Sequence, residues 1–377
     1  MHNKQKIKLL HLAQSAGYGV TVYVESLIRN LDKGSFQQQL LGSEYYDNER
    51  FREIVEQLII VHMERNISKN DLRTILQCRE VVKRQSPDIV YCHSAKAGIY
   101  GRIACFGRKT KVVYNPHGWA FNMKCSAPKR AFYSLVEALF STITDKIIAI
   151  SDFEKASTPW YISKSKVQVI KNGIDIEGSK TLLSNNTLTR EKLGIPAEAF
   201  VIGMTSRISI QKGQDMLVDI AKKVKERVDN AFFVIVGDKS DDVDIENLIE
   251  RNGLSDNFLI TGEVQNAINY ASLFDVAVLT SRWEGFGLVL PEYMLSGIPI
   301  VAYAVDAVPE IIVDEYNGLL VPPNDINRFA EALIRLYDDS DLRKRLVENA
   351  FNEVSKYDIK RVAQEHEKLF VELNQIP

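Results

Sequence analysis

Ten short, largely apolar runs punctuate the chain, each followed by a longer stretch whose apolar positions return every three or four residues. In the first half they are IKLLHLA (7–13), DIVYCHS (88–94), KVVYNPHG (111–118), KIIAIS (146–151) and VQVIKNG (167–173). In the second they are FVIGMTSR (200–207), FFVIVGD (232–238), FLITGEV (258–264), DVAVLTSR (275–282) and IPIVAYA (298–304). Runs that are apolar along their whole length predict strands covered on both faces, and their alternation with helices predicts parallel sheets. The expected class is α/β, with one doubly wound domain in each half. A polar, turn-rich segment containing SNNTLTREKLGIPAE (184–198) lies between them and reads as a linker. We expect a first domain over 1–177, a linker over 178–198, a second domain over 199–355 and a terminal helix over 356–377. In that helix Val362, Phe370 and Leu373 are among the apolar positions, and as a terminal helix it could pack on either domain, including back on the first.

The length supports this division, because 377 residues exceed one ordinary core and fill two. With 45% hydrophobic and 25% charged residues the composition is that of an ordered globular chain. Cys78, Cys92, Cys105 and Cys125 show neither a Cys-x-x-Cys pair nor a histidine at zinc spacing, so buried or free thiols in a reducing compartment are expected. The opening MHNKQKIKLLHLAQS turns polar too soon for a signal peptide, and no stretch approaches the roughly 20 apolar residues of a membrane helix. The expected location is cytoplasmic, with at most a peripheral contact at the inner face of the plasma membrane.

Charge sharpens the picture. The net charge of −2 hides 26 Lys and Arg against 16 Asp and Glu up to Asp175, and 21 against 33 beyond it. Between Asp88 and Glu137 there is no acid at all, while Lys96, Arg102, Arg108, Lys109, Lys111, Lys124, Lys129 and Arg130 fall there. Such a segment suits phosphates or an anionic membrane surface, unless acids from elsewhere in the chain cover it.

In open parallel sheets ligands bind beyond the carboxyl ends of the strands, so the loops after the apolar runs are where chemistry is expected. After the first run, Gly17 and Gly19 precede a helix expected near Val20. They are candidate contacts for a donor phosphate or sugar, though a plain tight turn fits equally, because a dinucleotide fingerprint would need a third glycine where Val22 stands. After KVVYN, His117 stands before Gly118 and Trp119, where it can serve as a hydrogen-bond partner or proton carrier. Arg207 and Lys212, in SRISIQKG, can clasp a diphosphate from two sides or be solvated surface cations. In SRWEGFGLVLPEYMLSG (281–297), Glu284, Gly285, Phe286 and Gly287 make a turn before a helix expected near Gly287, with Glu292 about 7–8 Å along its axis. Free amides and the helix dipole favour an anion at that start, so a pyrophosphate there would leave one carboxylate for ribose and one for sugar hydroxyls. The alternative is a capping acid and an exposed helix acid.

Together these elements resemble the family-4 glycosyltransferases, whose GT-B fold sets two Rossmann-like domains facing a cleft. The likeness covers nearly the whole chain, through SAGYGV (15–20), HSAKAGIYGRIA (93–104), NPHGWAF (115–121), VIKNGID (169–175), SRISIQKG (206–213), SRWEGFGLVLPEYMLSGIPIVAY (281–303) and NGLLVPPND (317–325). The resemblance implies transfer of a sugar with retention of configuration and without a bound metal, the donor being a nucleotide-sugar, with a uridine diphosphate sugar favoured. It implies that Glu284 holds the sugar hydroxyls, Glu292 the ribose, and the amides of Gly287 and Leu288 the phosphates. Arg207 and Lys212 would neutralise the departing diphosphate, His117 would contact the sugar, and Val264 would meet the base. HSAKAGIYGR and HGWAF are similar to members that build bacterial capsule, exopolysaccharide or O-antigen units. These imply a glycan acceptor on a polyprenyl diphosphate and no nucleic acid partner. The acid-free segment, with Trp119, Phe121, Phe132 and Tyr133 nearby, would suit such an acceptor at a membrane. Two departures stand out: Asp306-Ala307 replaces the usual Gly-Gly before Val308-Pro309-Glu310, and Lys239 follows Gly237-Asp238 where a second glycine is common. Two alternatives remain open here, a nucleotide-sugar 2-epimerase of the same fold and a non-catalytic partner of another transferase.

Overall fold

The structure is a computed structural model and describes residues 5–14, 18–64, 68–239 and 243–375. The chain divides into two compact units, Met1–Gly173 with Ile359–Pro377, and Ile174–Asp358.

Within the described residues the N-terminal unit holds seven strands: β1 (Ile7–Ala13), β2 (Phe36–Gly42), β3 (Gln57–Ile60), β4 (Ile89–His93), β5 (Lys111–Asn115), β6 (Lys146–Ala149) and β7 (Val167–Val169). They lie in the order β3-β2-β1-β4-β5-β6-β7 with every pairing parallel. Successive side chains of a strand point to opposite faces. Accordingly Leu9 and Ala13 of β1 join Tyr91, Val113 and Ile148 in one core, whereas Leu10 and Leu12 join Val90, Cys92, Val112 and Tyr114 in the other. The first core is closed by the helices Tyr18–Asn30 and Ile359–Gln375, the latter burying Val362, His366, Leu369, Phe370 and Leu373. Phe370 meets the rings of Phe36 and Tyr91 edge to face at 6.0 and 5.5 Å.

The C-terminal unit holds β8 (Phe200–Thr205), β9 (Ala231–Val236), β10 (Phe258–Ile260), β11 (Val276–Leu279), β12 (Ile300–Tyr303) and β13 (Leu319–Val321), in the parallel order β10-β9-β8-β11-β12-β13. Strand order reverses between β8 and β11, which are neighbours although β9 and β10 lie between them in sequence. A loop leaving β8 and a loop leaving β11 therefore diverge from the same point, and a ligand can sit there against both.

All ten apolar runs contain strands, and three further strands were not anticipated. β2 carries Gln37, Gln38 and Gln39, whose polarity masks its pattern, and β3 and β13 have four and three residues. Residues 178–198 lie in the C-terminal unit, where the helix Ile176–Ser184 and a turn at Glu191–Leu193 replace an open linker. The chain crosses between units at 173/174 and again at 358/359. No helix among the described residues is long and apolar enough to cross a membrane.

Candidate active site

In the C-terminal unit the loop after β8 carries Arg207 and Lys212, and the loop after β11 carries Glu284. The two loops are stitched together. Thr280 Oγ1 donates to the carbonyls of Lys212 and Gly213 at 3.0 Å, Arg282 N donates to Gln211 O at 2.8 Å, and Gln211 Nε2 to Trp283 O at 3.1 Å. Gln214, fully buried, accepts from Ser209 N and donates to Ser206 Oγ and to Arg207 O, which shapes the Arg207 segment from inside. Arg282 braces the pair through a bidentate contact with Asp215 at 2.8 and 2.5 Å. Gly213 makes this closeness feasible, and Gly237 lets the turn after β9 approach the loop after β8. At Gly213 (φ +70°) a Cβ would stand 2.3 Å from Thr280 O, and at Gly237 (φ +147°) 2.2 Å from Ser206 O.

Glu284 is the centre of this arrangement. Its side chain is almost fully buried, and Oε1 takes the Lys212 ammonium and the Ser281 hydroxyl, the latter at 2.6 Å. Its own amide donates to Asp306 Oδ2 at 2.9 Å. The structure thus brings Lys212 and Glu284 together directly. Arg207 stands in the same loop as Lys212, half-buried. Asp306, one of the two departures from the pattern the sequence resembles, adopts φ +44°, the left-handed region in which glycine is at ease. Burial, and secondarily the charge of Glu284, raises its carboxyl above the ordinary aspartate value.

The turn ahead of the helix differs from expectation. Gly287 has φ +89°, Phe286 is buried against Tyr357, and Leu288 is the residue before the helix, which spans only Val289–Leu295. The helix begins two residues later than expected because Gly287 turns the chain through a conformation no helix contains. Glu292 consequently lies in the first helical turn, about 4–5 Å along the axis rather than 7–8 Å. Seven residues also make a weaker dipole than a long helix, so the amides matter here more than the helix. Glu292 is half-buried, and desolvation pushes its carboxyl up to about 7. Gly285 and Leu288 are half-buried beside it, and Val264, also half-buried, lies beyond β10.

In the N-terminal unit the chemistry again gathers at strand ends. His117 follows β5 with φ +53°, its amide donating to Asn115 Oδ1 at 2.9 Å. Its ring is desolvated, which, with the charge of His366 adding to it, lowers its pKa to about 3. Next to it, Glu154 holds the loop: Oε1 accepts from Gly118 N at 2.9 Å, Oε2 from Ile150 N at 2.6 Å, and its carbonyl takes Trp119 Nε1 at 3.0 Å. Burial raises the Glu154 carboxyl to about 7, against the backbone amides of Ile150, Gly118 and Trp119, which favour its charged form. Neither Glu154 nor His366 is singled out by sequence reading. The signal for Glu154 is only the Ser-x-x-Glu capping pattern at 151–154, and His366 has none until the terminal helix is placed. Gly17 lies outside the described residues, and Gly19 is exposed inside a helix that already begins at Tyr18, not near Val20.

The basic segment is partly an artefact of reading in one dimension. Lys96 pairs with Asp71 at 2.9 Å, and Arg102 is fully buried on Glu137 at 2.8 Å, its guanidinium over the Tyr114 ring. Trp119 and Phe121 are buried too, stacked on each other. What does reach the surface is the helix Ala127–Ser141. Buried Glu137 anchors its inner face, and Phe132, Leu135 and Leu139 stand 56, 68 and 66% exposed on another. Trp160, 88% exposed, lies next to Tyr161, which bonds to Ser134 of the same helix, and Lys124, Lys129 and Arg130 are exposed at its start.

Comparison with known proteins agrees with this geometry. Residues 18–177 match the family described as Glycosyltransferase Family 4, and residues 185–353 match Glycosyl transferases group 1. Among curated proteins the chain is 28% identical to an Escherichia coli UDP-Gal:alpha-D-GlcNAc-diphosphoundecaprenol alpha-1,3-galactosyltransferase, over 94% of this chain and 95% of that one. It is 25% identical to the Staphylococcus aureus capsular polysaccharide biosynthesis glycosyltransferase CapM, over 82% and 84%. Among solved structures it resembles Anabaena Alr3699/HepE, determined in complex with UDP-glucose, with a TM-score of 0.80 and 21% identity, covering 97% of this chain and all of that one.

Proposed function

Because the chain belongs to the glycosyltransferases of GT-B fold, we propose that it transfers a sugar, with retention of configuration, from a nucleotide diphosphate to a hydroxyl of a lipid-linked glycan in surface polysaccharide synthesis. The observation that carries the reading is the Lys212–Glu284–Ser281 constellation where β8 and β11 diverge. A desolvated carboxylate that fixes a lysine at a strand-end loop keeps positive charge poised for a pyrophosphate and leaves its second oxygen for a sugar hydroxyl. Arg207 adds a second cation to the same loop. The amides of Gly287 and Leu288 reach the phosphates, Glu292 the ribose, and the backbone around Val264 the base. The C-terminal unit is thus the donor-holding half, and the N-terminal unit takes the acceptor.

In this reading the acceptor oxygen attacks the anomeric carbon on the face from which the diphosphate departs. The bond from that carbon to the phosphate oxygen breaks, the new glycosidic bond forms, and the freed phosphate oxygen takes the hydroxyl proton. Arg207 and Lys212 stabilise the charge that develops on the leaving group, with no metal required for that step. The E. coli relative's name specifies a UDP-galactose donor and an undecaprenyl diphosphate acceptor, and this supports a uridine diphosphate donor and a polyprenyl-linked acceptor here. The exposed stripe Phe132, Leu135, Leu139 with Trp160, bordered by Lys124, Lys129 and Arg130, fits an anionic membrane surface on which such an acceptor would lie.

The test is transfer from a panel of UDP-sugars to an undecaprenyl-diphosphate-linked N-acetylglucosamine, with the product's anomeric configuration read by NMR. The α-linked product from an α-linked donor is expected. An inverted product, or a trapped glycosyl-enzyme, contradicts the proposed route.

A further inference from the structure

Three imidazoles in the N-terminal unit form a hydrogen-bonded file that ends at His117. His11 of β1 and His93 of β4 share a face because β1 and β4 pair with Ala13 opposite His93 and His11 opposite Tyr91. His11 Nδ1 lies 3.2 Å from His93 Nε2, and His93 Nδ1 lies 3.2 Å from His117 Nε2. His11 and His93 are both 0% exposed. Burial holds all three rings neutral, with His11 and His117 each lowered to about 3 and His93 lowered as well. A neutral imidazole has one N–H and one bare nitrogen, so each N···N contact needs one proton and the file can run in one of two directions.

Gln38 selects the direction. Its amide Nε2 donates to Ile28 O at 3.1 Å, which fixes the orientation of the group and leaves Oε1 buried without a partner. His11 Nε2 is likewise buried without a partner, and β1 and β2 pair with Leu9 opposite Gln38 and His11 opposite Leu40, which puts Gln38 on the same face of the sheet as His11, on the neighbouring strand. A buried carbonyl oxygen without a donor is costly and a second bare acceptor on the same face adds to the cost, so we place the His11 proton on Nε2, on the side of Gln38. His11 Nδ1 is then bare and takes the proton of His93 Nε2, and His93 Nδ1 takes that of His117 Nε2. His366 stands outside the file. Its Nδ1 donates to Val362 O at 2.8 Å, and its Nε2 accepts from Tyr91 at 3.0 Å with the Tyr23 hydroxyl 3.3 Å away, so it offers the three rings no competing proton.

We propose that Gln38, His11 and His93 are positioning residues that hold His117 in its Nε2–H tautomer and so present Nδ1 as an acceptor for a substrate hydroxyl. The tautomer follows from the file itself, whereas the hydroxyl rests on the reading of the protein as a sugar transferase. A bare nitrogen at this point welcomes a hydroxyl that donates and repels a carboxylate, which favours a neutral sugar over a uronate at the group His117 meets.

The experiment is long-range proton–nitrogen NMR on the full chain with ring-labelled histidine at neutral pH. We expect His11, His93 and His117 each protonated at Nε2, with couplings across the two N–H···N bonds joining them. His93→Leu and Gln38→Met should each leave His117 averaged between tautomers. With the competent form near half, kcat/KM should fall about twofold or more, whereas the melting temperature of Gln38→Met stays close to the parent's. Protonation of His117 at Nδ1, or a His117 spectrum indifferent to His93→Leu, overturns the proposal. If the spectra are as expected while no sugar is transferred to any acceptor, the file stands and the functional reading is what fails.

Discussion

The Lys212–Glu284 contact separates a role in stability from the role in transfer proposed for it. Glu284 is 5% exposed, so removing the lysine leaves a buried carboxylate with the Ser281 hydroxyl but no opposite charge, a loss of about 3 kcal/mol. Lys212→Met should therefore lower the melting temperature, and adding Glu284→Gln should restore most of it, because the pair then becomes neutral together. Neither variant should regain transfer, with kcat down about 10²–10³-fold. Recovery of activity along with stability would mark the pair as purely structural. Glu292 offers a test in pH. Burial holds its carboxyl near 7, and a ribose diol needs the ionised, accepting form. Donor binding therefore favours loss of the proton, so nucleotide affinity should rise as pH increases from 6 to 8 and level off above, and Glu292→Gln should flatten the profile in a calorimetric titration. Arg207, Lys212 and Glu284 stood out in the sequence because they follow strands in distinctive strings, and Glu292 because it belongs to the same string as Glu284. Their partnership was not, because Lys212 and Glu284 are 72 positions apart and meet only through the β8–β11 pairing.

At the scale of elements, apolar runs revealed the interior strands, while β2 escaped notice behind three glutamines, one of which, Gln38, is buried and hydrogen-bonded inward. Charge along the sequence was a poorer guide, because the acids that neutralise Lys96 and Arg102 arrive from Asp71 and from Glu137, at or beyond the edges of the acid-free stretch. The helix Ala127–Ser141 keeps the basic and apolar character that the stretch suggested, with different aromatics: Phe132 and Trp160 outside, Trp119 and Phe121 within. Sedimentation with vesicles rich in anionic lipid should show binding that weakens about fivefold for each of Lys124, Lys129 and Arg130 changed to Gln. Leu135→Gln with Leu139→Gln should weaken binding to anionic vesicles further while leaving the fold intact, since both side chains are already exposed. Binding indifferent to all five changes would remove this helix from any membrane role.

Across the whole molecule, two sheets each reverse their strand order once, and each reversal lies where the unusual residues collect: His11 and His93 at β1 and β4, Lys212 and Glu284 beyond β8 and β11. That doubly wound plan was readable from the alternation of apolar runs and helical stretches. The return of the chain at 358/359, which places His366 in the first unit, depends on tertiary packing of the terminal helix, and no local pattern encodes it. The central claim is that the C-terminal unit grips a nucleoside diphosphate through Arg207, Lys212 and the turn at Gly287. Thermal unfolding with and without UDP, on the parent, Arg207→Ala and Lys212→Met, measures this directly. At 100 times its dissociation constant UDP should stabilise the parent by about 2.7 kcal/mol and shift each variant far less at the same concentration. An equal shift in all three proteins, or none in the parent with any nucleoside diphosphate, would contradict the claim.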